Sequence, residues 1–362
     1  MQKLRFTSDN GDEFYHVLHK RVYQVLASSQ TNRYANWLMY FKTVIYFLLF
    51  FSAYALVLLS QNLWGFYASY LLMGVSVLLI GFNISHDAAH QVIFRNKKWN
   101  DWLYFISFTL QGNNAYIWKK YHNESHHIYT NVHHSDIDVL ENPMLRMTDN
   151  QAWKPWHRYQ HLYAPFLYLF YSLNWFFVRD MLLIFRKSSR TISLGTLPRS
   201  EVIILMISKV FYIAYMIALP VFFLNFAWYH VILAFVFNHF LISWIFCGVL
   251  GCSHLTDQVI HPESENGTLP MSWAMLQMQT SLDYASDSRL ANWLLGGFNA
   301  HTLHHLFPNI CHIHYLKMVP VLRQTAREFG IEYHETSYFQ ALASHFRFLK
   351  KMGKPDNKIP VA

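Results

Sequence analysis

Three short clusters hold most of the reactive side chains of this 362-residue chain. They are "HDAAH" with His86 and His90, "HNESHH" with His122, His126 and His127, and "HTLHH" with His301, His304 and His305. On a helix, residues four apart project from one face about 6 Å from each other, so His86 and His90 can bind one metal ion together. The HxxxHH and HxxHH clusters do the same while turning a further ring towards a second ion. One HxxxH pair among 22 histidines says little; three clusters at helical ligand spacing point to a metal site. Imidazole is a neutral ligand of intermediate softness that suits Zn, Cu, Fe and Ni, so spacing alone leaves the metal open. Eight ligands exceed the four of a closed zinc site and the three of an open catalytic one, which implies two ions. Soluble di-iron proteins use bridging Glu and Glu-x-x-His pairs, whereas neutral rings would leave both ions more positive.

Around these clusters the chain is membrane-like. Hydrophobic residues make up 53% and charged residues 14%, against about 25% charged in soluble domains. Residues 12–27 place Phe14, Val17, Leu18, Val22, Val25 and Leu26 at helical spacing, which predicts an amphipathic helix leading into the membrane. Thr43–Ser60 and Phe66–Ile84 are long enough to cross a hydrocarbon core of about 30 Å and are joined by "QNLWG". Val202–Leu224 and Trp228–Leu250, joined by "NFAW", form a second hairpin. The hairpin tips carry no Lys or Arg. Lys3, Arg5, Lys20, Arg21, Arg33 and Lys42 precede the first span, and Arg95, Lys97, Lys98, Lys119 and Lys120 follow the second. By the positive-inside rule both termini and the middle segment are cytosolic. No removable signal peptide is expected near Met1. Cys247, Cys252 and Cys311 form no CxxC pair and read as reduced packing residues.

The stretch Leu162–Val178 is apolar and nearly long enough to span, yet it contains Pro165 and Asn174. If it crossed, the third cluster would face the opposite side from the first two. A shared metal site therefore requires it to lie along the membrane interface. The expected fold is an all-α integral membrane protein: four transmembrane helices in two hairpins, with a cytosolic helical cap holding a His-rich di-metal site. Its segments are 1–42 (amphipathic lead), 43–84 (first hairpin), 85–201 (boxes one and two with the interfacial helix), 202–250 (second hairpin) and 251–362 (cap with box three).

The three boxes, together with "NPMLRMTDN" and "GGFNAHTLHHLFPNICHIHY", closely resemble the membrane fatty acid desaturases, in particular bacterial acyl desaturases of the linoleoyl-CoA desaturase-like kind. The resemblance implies a non-haem di-iron centre, O2 and two electrons as co-substrates, and removal of two hydrogens from a fatty acyl chain to give a cis double bond. Its ligands would be the eight box histidines, with His254 in "GCSHLTD" as a ninth. His133 and His134 do not match ligand positions. Asp136 and Asp138 resemble the acidic pair after box two, which orients ligand rings; Asp283 and Asn299 look like similar supports. Lys119 and Lys120 could meet a CoA or lipid phosphate. Desaturases that act between an existing double bond and the carboxyl group often carry Gln where this chain has His301, which leaves the position of the new bond open. Animal acyl-CoA desaturases place Asn four residues before the ninth histidine; here Leu250 stands there. No His-Pro-Gly-Gly motif is present, so the implied electron donor is a separate protein such as ferredoxin or cytochrome b5.

The net charge of +8 fits a cytosolic face that meets anionic lipid. The expected partners are membrane lipid, the donor, and an acyl substrate carried by CoA, carrier protein or lipid, with no nucleic acid. The expected location is a bacterial inner membrane with the site facing the cytosol. Hydroxylases and ketolases share such boxes and form the first rival. A His-rich metal transporter or store is the second, and it would need ligands along a path inside the spans, where Val202–Leu250 has only His230 and His239.

Overall fold

The computed structural model describes residues 4–137, 142–185 and 197–355. Among these residues four helices are long and apolar enough to cross a membrane: Trp37–Leu58, Leu63–Ala89, Arg199–Phe223 and Trp228–His254. The most apolar window of each is at most 33% buried inside the protein, so most of its surface is left for lipid. The chain is a membrane protein. Asn36 caps the first span through the Met39 N–H (3.2 Å), and Asn62 caps the second through the Gly65 N–H (2.8 Å). The first span therefore starts at Trp37, ahead of the expected Thr43. Lys42, expected among the flanking charges, lies within it and is fully buried. The second and fourth spans pack closely: a Cβ at Gly74 would sit 1.6 Å from Asn238 Oδ1.

The spans do not stop where hydrophobicity ends. The second runs through a π turn at Gly81–Ser85 and on to Ala89, and the fourth continues past Leu250 to His254. In two antiparallel hairpins, the ends of the second and fourth helices fall on the same side. Both deliver histidines there.

Residues 162–178 form no single crossing helix. Gln160–Tyr168 breaks at Leu169–Phe170, and the chain resumes as Tyr171–Asn174 and a π turn at Trp175–Arg179. These pieces run against the last span and the C-terminal helix Tyr338–Met352: Ser172 Oγ lies 2.6 Å from Ser243 Oγ, and Tyr168 O–H meets His345 at 2.8 Å. Leu162, Phe166 and Phe177 stay exposed, as an interfacial segment requires.

The helix Asn10–Ser28 buries Phe14, Leu18, Val22 and Leu26, while Val17 and Val25 are half-buried. It does not merely lead towards the first span. Its apolar stripe packs on Leu303, Phe307, Met318 and Leu322 of the C-terminal region, each side chain contributing about 1.5–3 kcal/mol by leaving water. Two-residue parallel strand pairs, Arg5–Phe6 with Thr268–Leu269 and Asp283–Tyr284 with Glu335–Thr336, tie distant segments of this layer together. The result is a helical cap seated on the ends of the second and fourth spans.

Candidate metal centre

Four stretches of chain converge under the cap. Box one is the last turn of the second span. Box two sits on a π turn, His122–His126, that extends the short helix Ala115–Tyr121. His254 ends the fourth span, and box three forms the helix His301–Leu306. The box-three loop reaches the second span through Gly296 and Gly297, at φ of 61° and 85°. A Cβ at Gly296 would lie 2.2 Å from the Phe82 carbonyl oxygen. Only glycine combines that backbone with that approach.

The rings fall into two groups. His86, His90, His122 and His304 form one, and His126, His254, His301 and His305 the other; within each group, one ring nitrogen per residue lies within 4.8 Å of all the others. His127 stands between the groups, its Nε2 2.9 Å from His122 Nε2 and its ring about equally far from His304 and His305 (4.6 Å each). All nine histidines expected from the sequence are thus brought together. His133 and His134 stack on each other elsewhere, with His133 Nδ1 3.5 Å from Glu263.

The pairing within box two departs from the α-helical expectation. In an α-helix His122 and His126 would share an ion. The π turn bonds His127 N–H to His122 O (3.0 Å), an i to i+5 spacing. It brings His122 beside His127 and sends His126 to the other group. Box three behaves as expected, with His301 and His305 together and His304 turned to the opposite group.

The polar partners determine which nitrogen faces inward. His126 Nδ1–H donates to Asp136 (3.0 Å to Oδ2), and His254 Nδ1–H donates to the Thr280 carbonyl (3.0 Å). His305 Nδ1 lies 3.1 Å from Thr130 Oγ1. Each leaves Nε2 towards the neighbouring rings, the arrangement that fixes a metal-binding tautomer. Both ring nitrogens of His86 and of His301, together with Nε2 of His90 and of His304, are buried without a hydrogen-bond partner. Each of these four rings carries one acceptor nitrogen, and leaving it unpaired is costly; an ion in each group would take one nitrogen from each ring. Trp118 stacks on His122 (4.1 Å) and Phe298 lies against His86 (4.5 Å), which keeps bulk water out.

The other expected residues divide. Asp136 does hold one of the clustered rings, that of His126. Asp283 instead takes the Thr302 N–H (2.7 Å) and the Tyr333 hydroxyl (2.5 Å), supporting the box-three backbone; burial pushes its carboxyl up to about 6. Asn299 donates to the Ala285 carbonyl (3.2 Å), not to a ring. Asp138 lies outside the described residues. Lys119 pairs with Asp101 at 3.0 Å, and Lys120 is half-buried beside it. Within the fourth span, His230 meets Tyr67, and His239 meets Ser172 and Tyr212, so neither begins a ligand path. Thr130, Thr280 and Tyr315, whose hydroxyl lies 3.4 Å from His304 Nδ1, were not anticipated, since nothing local marks residues that contact rings from distant segments.

Burial holds His122, His127, His301, His304 and His305 well below the ordinary imidazole value, and His90 falls to about 4. Neutral rings are what metal binding needs. Below pH 6.5 the unfolded chain takes up protons that the folded site refuses until about pH 4 at His90, so stability falls as pH drops through that window. Metal-free protein in detergent should melt at progressively lower temperature from pH 6.5 to 4 and show little change in this respect above 6.5.

The chain matches the family model "Fatty acid desaturase" over residues 62–337. It is 30% identical to the sn-1 linoleoyl-lipid 6-desaturase of Arthrospira platensis, over 95% of this chain and 94% of that one. It is 29% identical to the sn-1 linoleoyl-lipid 6-desaturase of Synechocystis sp. (98% of each). To the acyl-lipid (8-3)-desaturase B of Dictyostelium discoideum it is 30% identical over 96% of this chain and 78% of that one.

Proposed function

We propose, from the premise that this chain belongs to the fatty acid desaturase family, that it inserts a cis double bond into acyl chains carried by membrane lipids, using two iron ions held by the nine histidines. The observation that carries this reading is the pair of four-histidine groups with unpaired, buried, neutral nitrogens. Bound there, two irons would supply O2 activation, with O2, two electrons from a separate donor protein and two protons consumed as two hydrogens leave the acyl chain and two waters form.

The protein's own contribution is placement and exclusion. His86, His90, His122 and His304 would hold one ion, and His126, His254, His301 and His305 the other, with His127 between them. Asp136 and the Thr280 carbonyl orient rings by accepting Nδ1–H. No carboxylate is needed as acid or base at the reacting carbons. A small cavity of about 20 Å³ beside His122 is lined by Phe108, Asn114, Trp118 and Trp175, with Arg179 and Asp180 on its wall. Asn114 also lines an open groove of about 460 Å³, together with Trp102, Phe105, Tyr116 and Lys119. The mainly apolar wall of the groove suits an acyl chain, which gains about 0.8 kcal/mol per methylene buried. The groove lies on the helix Lys97–Thr109, whose exposed Trp99 and Trp102 suit a membrane interface. That supports a lipid-bound acyl group, as the names of the relatives do for those proteins. Lys98 and Lys119 at its rim would meet the head group. The distribution of Lys and Arg supports a cytosolic site and cytosolic termini in a bacterial inner membrane, with residues 43–84 and 202–250 forming the lipid-embedded hairpins and the remaining segments the cap side.

Expression in a host that makes only monounsaturated lipids and is fed polyunsaturated precursors tests this. New unsaturated acyl chains should accumulate in the lipid fraction only with oxygen present, and purified protein should hold about two irons per chain. Hydroxylated or keto products in place of alkenes would favour the rival oxidation, and metal binding with no oxygen-dependent product would refute an enzyme.

A further inference from the structure

A second buried polar cluster lies behind box one. Asp87, between the two box-one histidines in sequence, has its Oδ2 2.8 Å from His312 Nδ1, 2.9 Å from Cys311 Sγ and 3.3 Å from the His312 backbone nitrogen. All three donors belong to the turn that follows box three. The opposite ring nitrogen, His312 Nε2, lies 2.9 Å from Lys42 Nζ, and Lys42 sits over the Trp293 ring at 4.8 Å. With Nδ1–H given to Asp87, Nε2 accepts from the lysine. A lysine, a neutral imidazole and a carboxylate thus form one chain from the first span to the box-one turn. Asp87, Cys311, His312 and Lys42 are all buried.

The turn is held from other sides as well. Cys311 N–H donates to Arg33 O (2.9 Å), Asn292 donates to His312 O (3.3 Å), and His314 Nε2 meets Tyr34 O (2.8 Å). The Asp87 carboxylate is where this anchored turn joins the segment bearing His86 and His90. A buried carboxylate is tolerated only where partners compensate its desolvation, so its position is closely specified by the three donors.

We propose that Asp87, through His312 and Lys42, is the positioning residue that sets the first histidine box against the third. The role rests on the proposed reading of the histidines as metal ligands. His86 and His90 serve only one of the two groups, so the effect is confined to that group. The cluster could instead bind a metal of its own, since one atom each of Asp87, Cys311 and His312 lie within 4.8 Å of one another. The lysine beside His312 argues against a third cation there.

Full-length Asp87→Asn protein, purified in detergent, should insert normally but hold about half the iron of the unsubstituted chain, with the Mössbauer signature of a coupled iron pair lost. In Asp87→Asn with Lys42→Met both buried charges are removed, so thermal stability should return towards that of the original chain while iron stays halved. Two irons with an unchanged spectrum in Asp87→Asn would overturn the proposal. So would loss of all iron in the single variant with full recovery in the double one, because that pattern marks a purely structural role. A third metal equivalent that disappears in Cys311→Ser would overturn it in favour of a metal site. Failure of the unsubstituted chain to hold two irons would refute the function proposed above and this role with it.

Discussion

Substituting His126 with alanine should abolish product formation, by at least about 100-fold, while the protein stays in the membrane at normal abundance. Changing a group that merely orients a ligand costs about 10- to 100-fold in metal affinity or activity, and removing a ligand costs more. His126 lies 4.9 Å from the His254 ring and 4.8 Å from the His305 ring, so its loss leaves three donors in that group. It also deprives the buried Asp136 of a donor, although the Asn131 N–H at 2.8 Å remains. None of the four spans contains His126, hence the expectation that insertion is unaffected. Lipid profiles of cells expressing the variant, with its membrane abundance measured by immunoblot, give both readouts. Undiminished conversion would remove His126 from the ligand set. Asp136→Asn, which keeps an acceptor but loses the charge, should fall between the two at about 10- to 100-fold.

Gly296→Ala should be nearly as damaging for a different reason. Its φ of 61° costs a residue with a side chain about 1–2 kcal/mol. The added carbon would also stand 2.2 Å from Phe82 O and 2.7 Å from Phe82 C, backbone atoms that cannot swing aside as a side chain does. Relieving that overlap adds about 1–3 kcal/mol and displaces the π turn from which His86 follows. Gly267→Ala is the control, because φ there is 76° but no atom lies within 4 Å of the added carbon. The Gly267 variant should lose only the conformational part of the stability and keep its activity. The Gly296 variant should lose more stability and most of its activity. Equal thermal shifts for the two would show that close approach at Gly296 has no energetic weight.

Hydrophobic run length was enough to read the two hairpins, and residues 162–178, which the shared site required to lie along the interface, are broken into short pieces rather than one long helix. What stayed illegible depended on contacts no local pattern marks. The π turn at His122 rests on a backbone bond to His127, and an α-helical reading pairs His122 with His126 instead. Lys42 looked like a flanking charge because it sits one residue before the apolar run begins, yet Asn36 starts the helix earlier and folds the lysine inside. Cys311 read as packing because its polar partner, Asp87, is 224 residues away. The stripe on Asn10–Ser28 was visible, but a stripe does not say whether lipid or protein covers it.

The second span runs past the apolar region through the π turn Gly81–Ser85 to Ala89, and the fourth reaches His254 as one helix. In the fourth span no break separates the apolar portion from His254, whereas in the second the π turn Gly81–Ser85 stands between the apolar portion and box one. A bilayer that is thinner or thicker than the rods prefer makes them tilt to relieve the mismatch, and a tilted rod moves its far end. A change in leaflet thickness would then be expected to change the spacing of the rings.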